Sequence, residues 1–249
     1  MEIRLDGEVA FITGAANGIG RGVAVAIAEA GARVAVADRS REQLDEVVDM
    51  ISAIGAHVTA HRVDVADPAQ VSAAVADASE VHGDVTVLVT AAAIGESVSV
   101  EEMSIEQWST VLDVNLNGTF YCLKAVVPGM RRAGRGRVIF FGSNFGLKGG
   151  PESAHYGTAK AGVHGLARCA AIDLAGAGIT VNVVAPGPVE TDMLWSLPQE
   201  WLDSKRRDMP LGRFGTVDEI VPTVLLLASS AGSFYTGATM NVSGGDVMM

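Results

Sequence analysis

Apolar positions along this chain follow two patterns, and segments with one pattern alternate with segments that have the other. Short runs of almost continuous apolar residues are typical of strands buried on both faces of a sheet. They predict strands at 8–13, 33–38, 58–63, 85–90, 137–141, 179–184 and 239–242. Segments with a helical repeat lie between them and predict helices ending near 30, at 41–54, from 68 onward, at 105–130, ending near 175, and at 217–228.

Regular alternation of strands and helices predicts a parallel sheet with helices on both faces. Because crossovers between parallel strands are right-handed, the expected fold class is α/β, a single-domain, Rossmann-type, doubly wound parallel sheet of about seven strands. No linker or repeat divides the sequence, so we expect one domain over 1–249. The longest stretch without a clear pattern ends near 215, and it predicts a substrate loop at about 188–215.

Composition narrows the classes of function. The 249 residues are 49% hydrophobic and carry a formal net charge of −11 without a basic stripe, which argues against nucleic-acid binding. No apolar run approaches about 18 residues and no export signal is recognisable, so neither a membrane span nor secretion is expected. The two cysteines are expected as buried free thiols, which favours a cytoplasmic protein. The histidines and cysteines show no metal-ligand spacing, so no metal is expected.

A glycine-rich turn follows the first predicted strand. Gly14, Gly18 and Gly20 lie where the chain passes into the first helix. Glycines let the main chain approach a pyrophosphate there, and the helix N-terminus presents free N–H groups to the anion. The turn lacks the Gly-Lys-Ser/Thr of a P-loop, which argues against ATP chemistry, so a dinucleotide site is expected.

Tyr156 and Lys160 lie four residues apart in a predicted helix, and Ser143 precedes Tyr156 by thirteen residues. Side chains at this spacing share a helix face, so an ammonium group is expected beside the phenol. A neighbouring positive charge favours the phenolate and lowers the tyrosine pKa from its ordinary value of about 10, which suits a general acid or base. The Ser143 hydroxyl is the candidate to hold the substrate oxygen. The spacing alone is weak evidence for a catalytic pair, and the other motifs of the chain must support it.

Several motifs occur together and in order along the chain. They are Gly14-x-x-x-Gly18-x-Gly20, Asn115, Ser143, Tyr156-x-x-x-Lys160 and Pro186-Gly187. With these motifs the chain resembles, over almost its whole length, the short-chain dehydrogenase/reductase family, in the subgroup that contains alcohol dehydrogenases and 3-oxoacyl-acyl-carrier-protein reductases.

The resemblance implies a role for each matching polar residue. Tyr156 exchanges a proton with the substrate oxygen, and Lys160 lowers the Tyr156 pKa and binds the nicotinamide ribose. Ser143 hydrogen-bonds the substrate oxygen, and Asn115 anchors a water in the proton relay. The family's activity would be hydride transfer between nicotinamide and a secondary alcohol or ketone.

Asp38 ends the second predicted strand, where the family recognises the adenosine ribose. A carboxylate there accepts hydrogen bonds from ribose hydroxyls and repels a 2′-phosphate, and the neutral Asn17 points the same way. Arg39 is the contrary indication, because a guanidinium binds phosphate. NAD(H) is therefore favoured over NADP(H). The resemblance implies this cofactor set: Gly14, Asn17, Gly18, Ile19, Gly20, Asp38, Arg39, Asp64, Val65, Ala91, Ala92, Ala93, Tyr156, Lys160, Pro186, Gly187, Val189 and Thr191.

The chain departs from the family pattern after the fourth strand, where Asn-Asn-Ala-Gly is usual and the residues here are Thr90, Ala91, Ala92 and Ala93. We expect Thr90 to replace part of the lost hydrogen bonding. A second departure is Ser243, at a position where aspartate is common.

An NAD(H)-dependent oxidoreductase acting on a secondary alcohol or ketone is therefore predicted (EC 1.1.1.-). One alternative is an NADPH-dependent 3-oxoacyl-[acyl-carrier-protein] reductase, and another is a nonenzymatic nucleotide sensor, which would not need Tyr156 and Lys160. The expected partners are a small-molecule substrate and copies of the same chain, as a homotetramer or homodimer. The candidate substrate residues are Glu96, Asn144, Phe145, His155, Pro188, Met193 and Trp195.

Overall fold

The computed structural model describes residues 3–248, so Met1, Glu2 and Met249, at the ends of the predicted domain, lie outside the described residues. The strands are β1 (Val9–Thr13), β2 (Arg33–Asp38), β3 (Val58–Arg62), β4 (Val87–Thr90), β5 (Gly136–Phe141), β6 (Ile179–Pro186) and β7 (Thr239–Val242). The α-helices are α1 (Gly18–Glu29), α2 (Arg41–Ala53), α3 (Pro68–His82), α4 (Ile105–Leu112), α5 (Gly118–Ala133), α6 (Phe145–Lys148), α7 (Ala154–Leu174), α8 (Asp192–Trp195), α9 (Gln199–Asp208) and α10 (Val217–Ala228).

These strands form one seven-stranded sheet in the order β3-β2-β1-β4-β5-β6-β7. Every neighbouring pair is parallel, with Phe11 beside Ala35 of β2 and beside Leu88 of β4. The strand order reverses direction between β1 and β4, which creates the crevice where ligands bind in doubly wound sheets. The predicted fold class is confirmed.

The sheet separates two apolar layers. Along β1, Phe11 packs with the layer that contains α3, α5 and α7, whereas Ile12 packs with the layer that contains α1, α2 and α10. Successive side chains of a strand point to opposite faces, so a strand covered by helices on both sides is apolar at almost every position. This explains why the apolar runs located the strands.

Two regions differ from the predicted elements. The long helix expected at 105–130 contains a π-helical turn at Asp113–Asn117, which separates α4 from α5. The stretch without a clear pattern near 188–215 contains α8 and α9, and the side chains of Leu202 and Phe214 form a small separate core there. Short amphipathic helices of this kind depend on tertiary packing, which a local pattern does not reveal.

Cys122 and Cys169 are both free thiols, as predicted, but only Cys122 is buried and Cys169 is exposed. Burial raises the pKa of the Cys122 thiol to about 12, because the thiolate loses its hydration. Within residues 3–248 the helices are all too short or too polar to cross a membrane.

Candidate active site

A cleft of about 530 Å³ opens at the carboxyl ends of the strands, across the crevice between β1 and β4. Residues after β1 and β2 line one end of it. Residues after β4 and β5, the first turns of α7 and the segment that carries α8 and α9 line the other end. The cleft is therefore built from loops that are far apart in sequence and that the parallel sheet brings to one edge.

The glycine-rich turn fits a pyrophosphate. Gly14 has a φ of +66°, and a Cβ atom there would collide with the main chain of Ala91 and Ala92. A Cβ atom on Gly20 would collide with the carbonyl of Gly14, so only glycine fits at these two positions of the turn. The first turn of α1 carries no acidic residue, which leaves its N–H groups and positive dipole end free for an anion.

Asp38 lies at the end of β2 and faces the same end of the cleft. Its carboxylate accepts hydrogen bonds from the main-chain N–H groups of Ala16 (3.3 Å) and Ser40 (3.1 Å). These contacts fix the carboxylate beside the glycine turn. The exposed Arg39 also lines the cleft. The residues present therefore fit a dinucleotide, with phosphate on the turn and ribose beside Asp38.

Lys160 is almost completely buried, with 2% of its surface exposed. Its Nζ donates a hydrogen bond of 2.8 Å to the carbonyl oxygen of Phe141, the last residue of β5, and lies 5.7 Å from the centroid of the Tyr156 ring. Burial lowers the pKa of Lys160 from 10.5 to about 8, because the ammonium group loses its hydration.

Tyr156 packs edge-on against Phe145, with ring centroids 6.3 Å apart, and its ring lies against Gly95. Burial raises the pKa of Tyr156, and hydrogen bonding by Ser143 opposes that rise only in part. The sequence predicts a lowered pKa, so the direction in this structure is the reverse. The physical reason is that the cost of burying a phenolate exceeds the stabilisation that its surroundings supply.

The Ser143 hydroxyl is held in a defined orientation. It donates a hydrogen bond of 3.0 Å to Oδ1 of Asn144, and its oxygen accepts the N–H of Phe145 at 3.1 Å. Both Ser143 and Asn144 are buried and both line the cleft. A hydroxyl oxygen accepts up to two hydrogen bonds, so one lone pair of Ser143 remains for a substrate hydroxyl.

A partly buried ionic cluster contacts the Asn144 side chain next to this serine. The Asp246 carboxylate, with 4% of the side chain exposed, accepts the Asn144 Nδ2–H, the Lys205 ammonium and, at 2.6 Å, the Lys148 ammonium. Although burial opposes it, hydrogen bonds from Lys148 and Lys205 hold the pKa of Asp246 below its usual value. The cluster ties α6, α9 and the C-terminal segment to the amide that orients Ser143.

Asn115 lies in the π-helical turn, a distortion that is frequent at functional sites. Its Oδ1 accepts the N–H of Ile94 at 2.9 Å, and its Nδ2 donates to the carbonyl of Ile94 at 2.8 Å. Both polar atoms of the side chain therefore hold the loop after β4. Asn115 does not line the cleft, and its predicted contact with a water stays a prediction.

The cleft brings together most of the residues predicted from sequence. The whole cofactor set lines it, and so do Ser143, Glu96, Asn144, Phe145, Pro188 and Met193. Two candidate substrate residues do not. His155 lies in the first turn of α7 and is completely buried. Trp195 packs edge-on against Phe214, with ring centroids 6.1 Å apart, and lines a second cavity beside α1 and α10.

The two departures from the family pattern have different outcomes. Thr90 is buried and its Oγ1 has no hydrogen-bond partner among residues 3–248, so it does not replace the missing asparagine contacts as expected. Ala92 instead donates weakly to Thr13 Oγ1, at 3.5 Å. Ser243 is bonded, because its hydroxyl oxygen accepts the N–H of Val247 at 3.3 Å.

Some lining residues were not predicted from sequence. Ser97 and Glu152 face the substrate end of the cleft, and the Ser97 hydroxyl donates to Glu152 Oε2 at 2.7 Å. The signal that could have found Glu152 is its place in the twelve residues between Ser143 and Tyr156, since a chain joining two site residues must pass the site. Asp246 carries no comparable signal, because its partners lie 41 to 102 residues away.

Comparison with known proteins finds similar chains over almost the whole length. A family model described as enoyl-(acyl carrier protein) reductase matches residues 14–246. A 3-oxoacyl-[acyl-carrier-protein] reductase of Thermotoga maritima is 37% identical over 246 residues, 99% of this chain and 100% of that protein. A 2-dehydro-3-deoxy-L-rhamnonate dehydrogenase (NAD(+)) of Sphingomonas sp. is 38% identical over 243 residues, 97% of this chain and 96% of that protein. The crystal structure of a short-chain type dehydrogenase/reductase from Mycobacterium marinum superposes with a TM-score of 0.95 and 34% identity over 99% of this chain and 98% of that one.

Proposed function

The chain belongs to the short-chain dehydrogenase/reductase family, whose oxidoreductases act on CH–OH and ketone groups, and we propose that it transfers a hydride between NAD(H) and a secondary alcohol or ketone. One observation carries the proposal. A single cleft holds a glycine turn with Asp38 at one end and Ser143, Tyr156 and Lys160 at the other. The residues at the first end would hold the pyrophosphate and adenosine of a dinucleotide, and its nicotinamide would supply hydride chemistry at the end that carries Tyr156.

The protein's own groups handle the proton. When bound, the nicotinamide supplies or accepts the hydride. In the reducing direction Tyr156, protonated at neutral pH, donates its proton to the substrate oxygen. In the oxidising direction Tyr156 must first lose that proton, and the Lys160 ammonium, 5.7 Å from the ring centroid, would offset part of the cost that burial places on the phenolate. Ser143 accepts a hydrogen bond from the substrate hydroxyl in the oxidising direction, and for a ketone its O–H would turn from Asn144 Oδ1 to the substrate oxygen.

Asn115 acts in this scheme through its main chain. Its side-chain amide is committed to Ile94, so a relay water would be held by the Asn115 carbonyl, which also accepts the Thr119 hydroxyl at 2.9 Å. The amide's contribution is to hold the loop after β4 against the cofactor end of the cleft.

NAD(H) is the proposed cofactor because the fixed Asp38 carboxylate favours ribose hydroxyls over a 2′-phosphate. The second candidate is an NADPH-dependent 3-oxoacyl-[acyl-carrier-protein] reductase, favoured by the identity with proteins of that name. Such an enzyme needs cationic residues to dock an acidic carrier protein. Arg132 is one candidate, but its guanidinium already binds Asp84 at 2.5 and 3.2 Å.

A cytoplasmic homotetramer or homodimer is also proposed. The support for self-association is apolar surface on the two long helices, since Phe120 of α5 and Ile172 of α7 are 44% and 80% exposed. Size-exclusion chromatography with light scattering tests this, and a monomer at micromolar concentration would contradict it.

A two-cofactor substrate panel tests the proposed function. Purified enzyme is assayed with NADH and NADPH against cyclic ketones, sugars, steroids and acyl thioesters, together with the corresponding alcohols in the other direction. Turnover of a non-thioester ketone with NADH as the better cofactor is expected. Exclusive turnover of 3-oxoacyl thioesters with NADPH would support the second candidate instead.

A further inference from the structure

The substrate end of the cleft is acidic. Glu96 and Glu152 line it, and neither is within reach of a cation that the structure describes. Of the described residues that line the cleft, Arg39 and Lys160 are the cationic ones. Arg39 lies at the adenosine end, and Lys160 is bonded to Phe141. A carboxylate or phosphate on the substrate would therefore meet negative charge at this end.

A buried imidazole stands behind Glu96. His155 is completely buried, and its Nδ1 accepts the main-chain N–H of Tyr156 at 2.9 Å. A ring nitrogen that accepts a hydrogen bond carries no proton, so the neutral imidazole has its proton on Nε2. His155 Nε2 has no hydrogen-bond partner in the described part of the chain, and it lies 4.0 Å from Oε1 of Glu96.

This geometry gives the carboxylate a defined role. A buried N–H group without a partner is costly, and Glu96 is half-exposed. A rotation of the Glu96 side chain that shortened this distance to about 3 Å would close the bond. An ionised carboxylate has about four acceptor sites. With one oxygen on His155, the other oxygen of Glu96 remains available to the cleft that it lines.

The neighbouring loop is tied in place around this pair. Val98 donates its N–H to the carbonyl of Glu152 at 2.9 Å, in addition to the bond between Ser97 and the Glu152 carboxylate. Glu152 adopts a φ of +48°, which is uncommon for a residue other than glycine. The segment that follows Glu96 is thereby joined to the loop that precedes α7.

Resting on the proposed function, we propose that Glu96, oriented by His155, accepts a hydrogen bond from a second hydroxyl group of the substrate. The substrates are then uncharged hydroxy-ketones and the corresponding diols. Glu152 adds to the negative charge at this end, so keto acids and acyl groups on acidic carriers are poor substrates. Neither the acyl-carrier-protein substrate nor the sugar-acid substrate named for two relatives meets this requirement.

Three substrates that share the cyclohexanone ring test the proposal in the complete enzyme with NADH. They are 2-hydroxycyclohexanone, cyclohexanone and 3-oxocyclohexane-1-carboxylate. The kcat/KM for 2-hydroxycyclohexanone should exceed that for cyclohexanone by about 10- to 100-fold, the ratio expected of one hydrogen bond to a charged group. The keto acid should be the poorest of the three, and its disadvantage should shrink as salt screens the two carboxylates.

Substitutions test which side chains cause the preference for the hydroxy-ketone over cyclohexanone. Glu96→Ala should bring the ratio between 2-hydroxycyclohexanone and cyclohexanone close to one, and Glu96→Gln should raise kcat/KM for the keto acid about 10-fold relative to cyclohexanone. His155→Asn keeps an acceptor for the Tyr156 N–H and removes Nε2. It should therefore lower the ratio between 2-hydroxycyclohexanone and cyclohexanone, but by less than Glu96→Ala does. The matched control is Glu101→Ala, an exposed carboxylate on the same loop that does not line the cleft.

The outcomes separate this inference from the proposed function. Turnover of cyclohexanone without any preference for the hydroxy-ketone, or an unchanged ratio in Glu96→Ala, would overturn the inference and leave the proposed function standing. If enzyme that binds NADH reduces none of the three ketones, the inference is overturned, and failure with the wider panel then overturns the proposed function. Because Glu96 is half-exposed, its variants do not depend on repacking the core.

Discussion

The ammonium group of Lys160 donates a hydrogen bond of 2.8 Å to the carbonyl oxygen of Phe141, which joins α7 to the last residue of β5. The bond fixes a positive charge inside the protein, 5.7 Å from the centre of the Tyr156 ring. Burying this charge is unfavourable, and burial lowers the pKa of Lys160 to about 8 for that reason. We expect this charge to stabilise the phenolate that forms when the neighbouring Tyr156 loses its proton.

Lys160→Met should change the pH dependence of folding stability. Between pH 8 and pH 10.5 the unfolded wild-type chain binds more protons at this lysine than the folded protein does. The free energy of unfolding of the wild type therefore rises with pH in this range. Methionine contributes no such gain. The free energy of unfolding of the wild type, relative to the variant, should therefore rise by about 2 kcal/mol from pH 7 to pH 10.

Urea denaturation of both proteins at the two pH values measures this difference. Lys124→Met, on the surface of α5, is the matched control and should show no comparable change. A difference between the wild type and Lys160→Met that is the same at both pH values would mean that burial does not depress the Lys160 pKa.

Asp38→Ala should weaken the discrimination between the two cofactors. The variant loses an acceptor for the ribose hydroxyls and the charge that repels a 2′-phosphate, so the ratio of kcat/KM for NADH to kcat/KM for NADPH should fall by at least about 10-fold. Asp49→Ala, an exposed carboxylate on α2, should leave the ratio as it is. A wild type that prefers NADPH would show that Asp38 does not select the cofactor.

Asp246→Asn should lower turnover without affecting NADH binding. The substitution removes the charge that holds Lys148 and Lys205, and with it the anchor of the Asn144 amide that orients Ser143. We expect kcat/KM for the ketone to fall by about 10-fold or more, since small misplacements of catalytic groups are costly. Asp203→Asn on the exposed face of α9 is the control. Equal kinetics in the two variants would limit Asp246 to a structural role.

Much of the fold could be predicted because parallel strands covered on both faces leave a strong local pattern. The runs around Phe11 and Val36 are apolar at almost every position, and glycines such as Gly31 end the helices between them. The π-helical turn at Asp113–Asn117 could not be predicted from a local pattern, and the contact that its Asn115 makes lies 21 residues earlier in the chain.

The residues of the candidate site likewise include some that the sequence predicts and some that it does not. Tyr156, Lys160 and Ser143 could be found because their spacing and order carry the chemistry. The orientation of Trp195 and the position of Asp246 could not, because each depends on tertiary partners. The pKa of Tyr156 was predicted in the wrong direction, because helical spacing reports the neighbouring charge but not the burial that opposes it.

The most direct test of the central claim is Tyr156→Phe, which removes one oxygen atom and keeps the ring that packs on Phe145. Steady-state turnover and NADH affinity are measured in the wild type and the variant, with Tyr121→Phe as the matched control on α5. We predict that kcat falls by about 10²- to 10⁴-fold, the usual contribution of a positioned general acid or base, while the Kd for NADH stays within about twofold. Full turnover in Tyr156→Phe would contradict the assignment of Tyr156 as the proton donor.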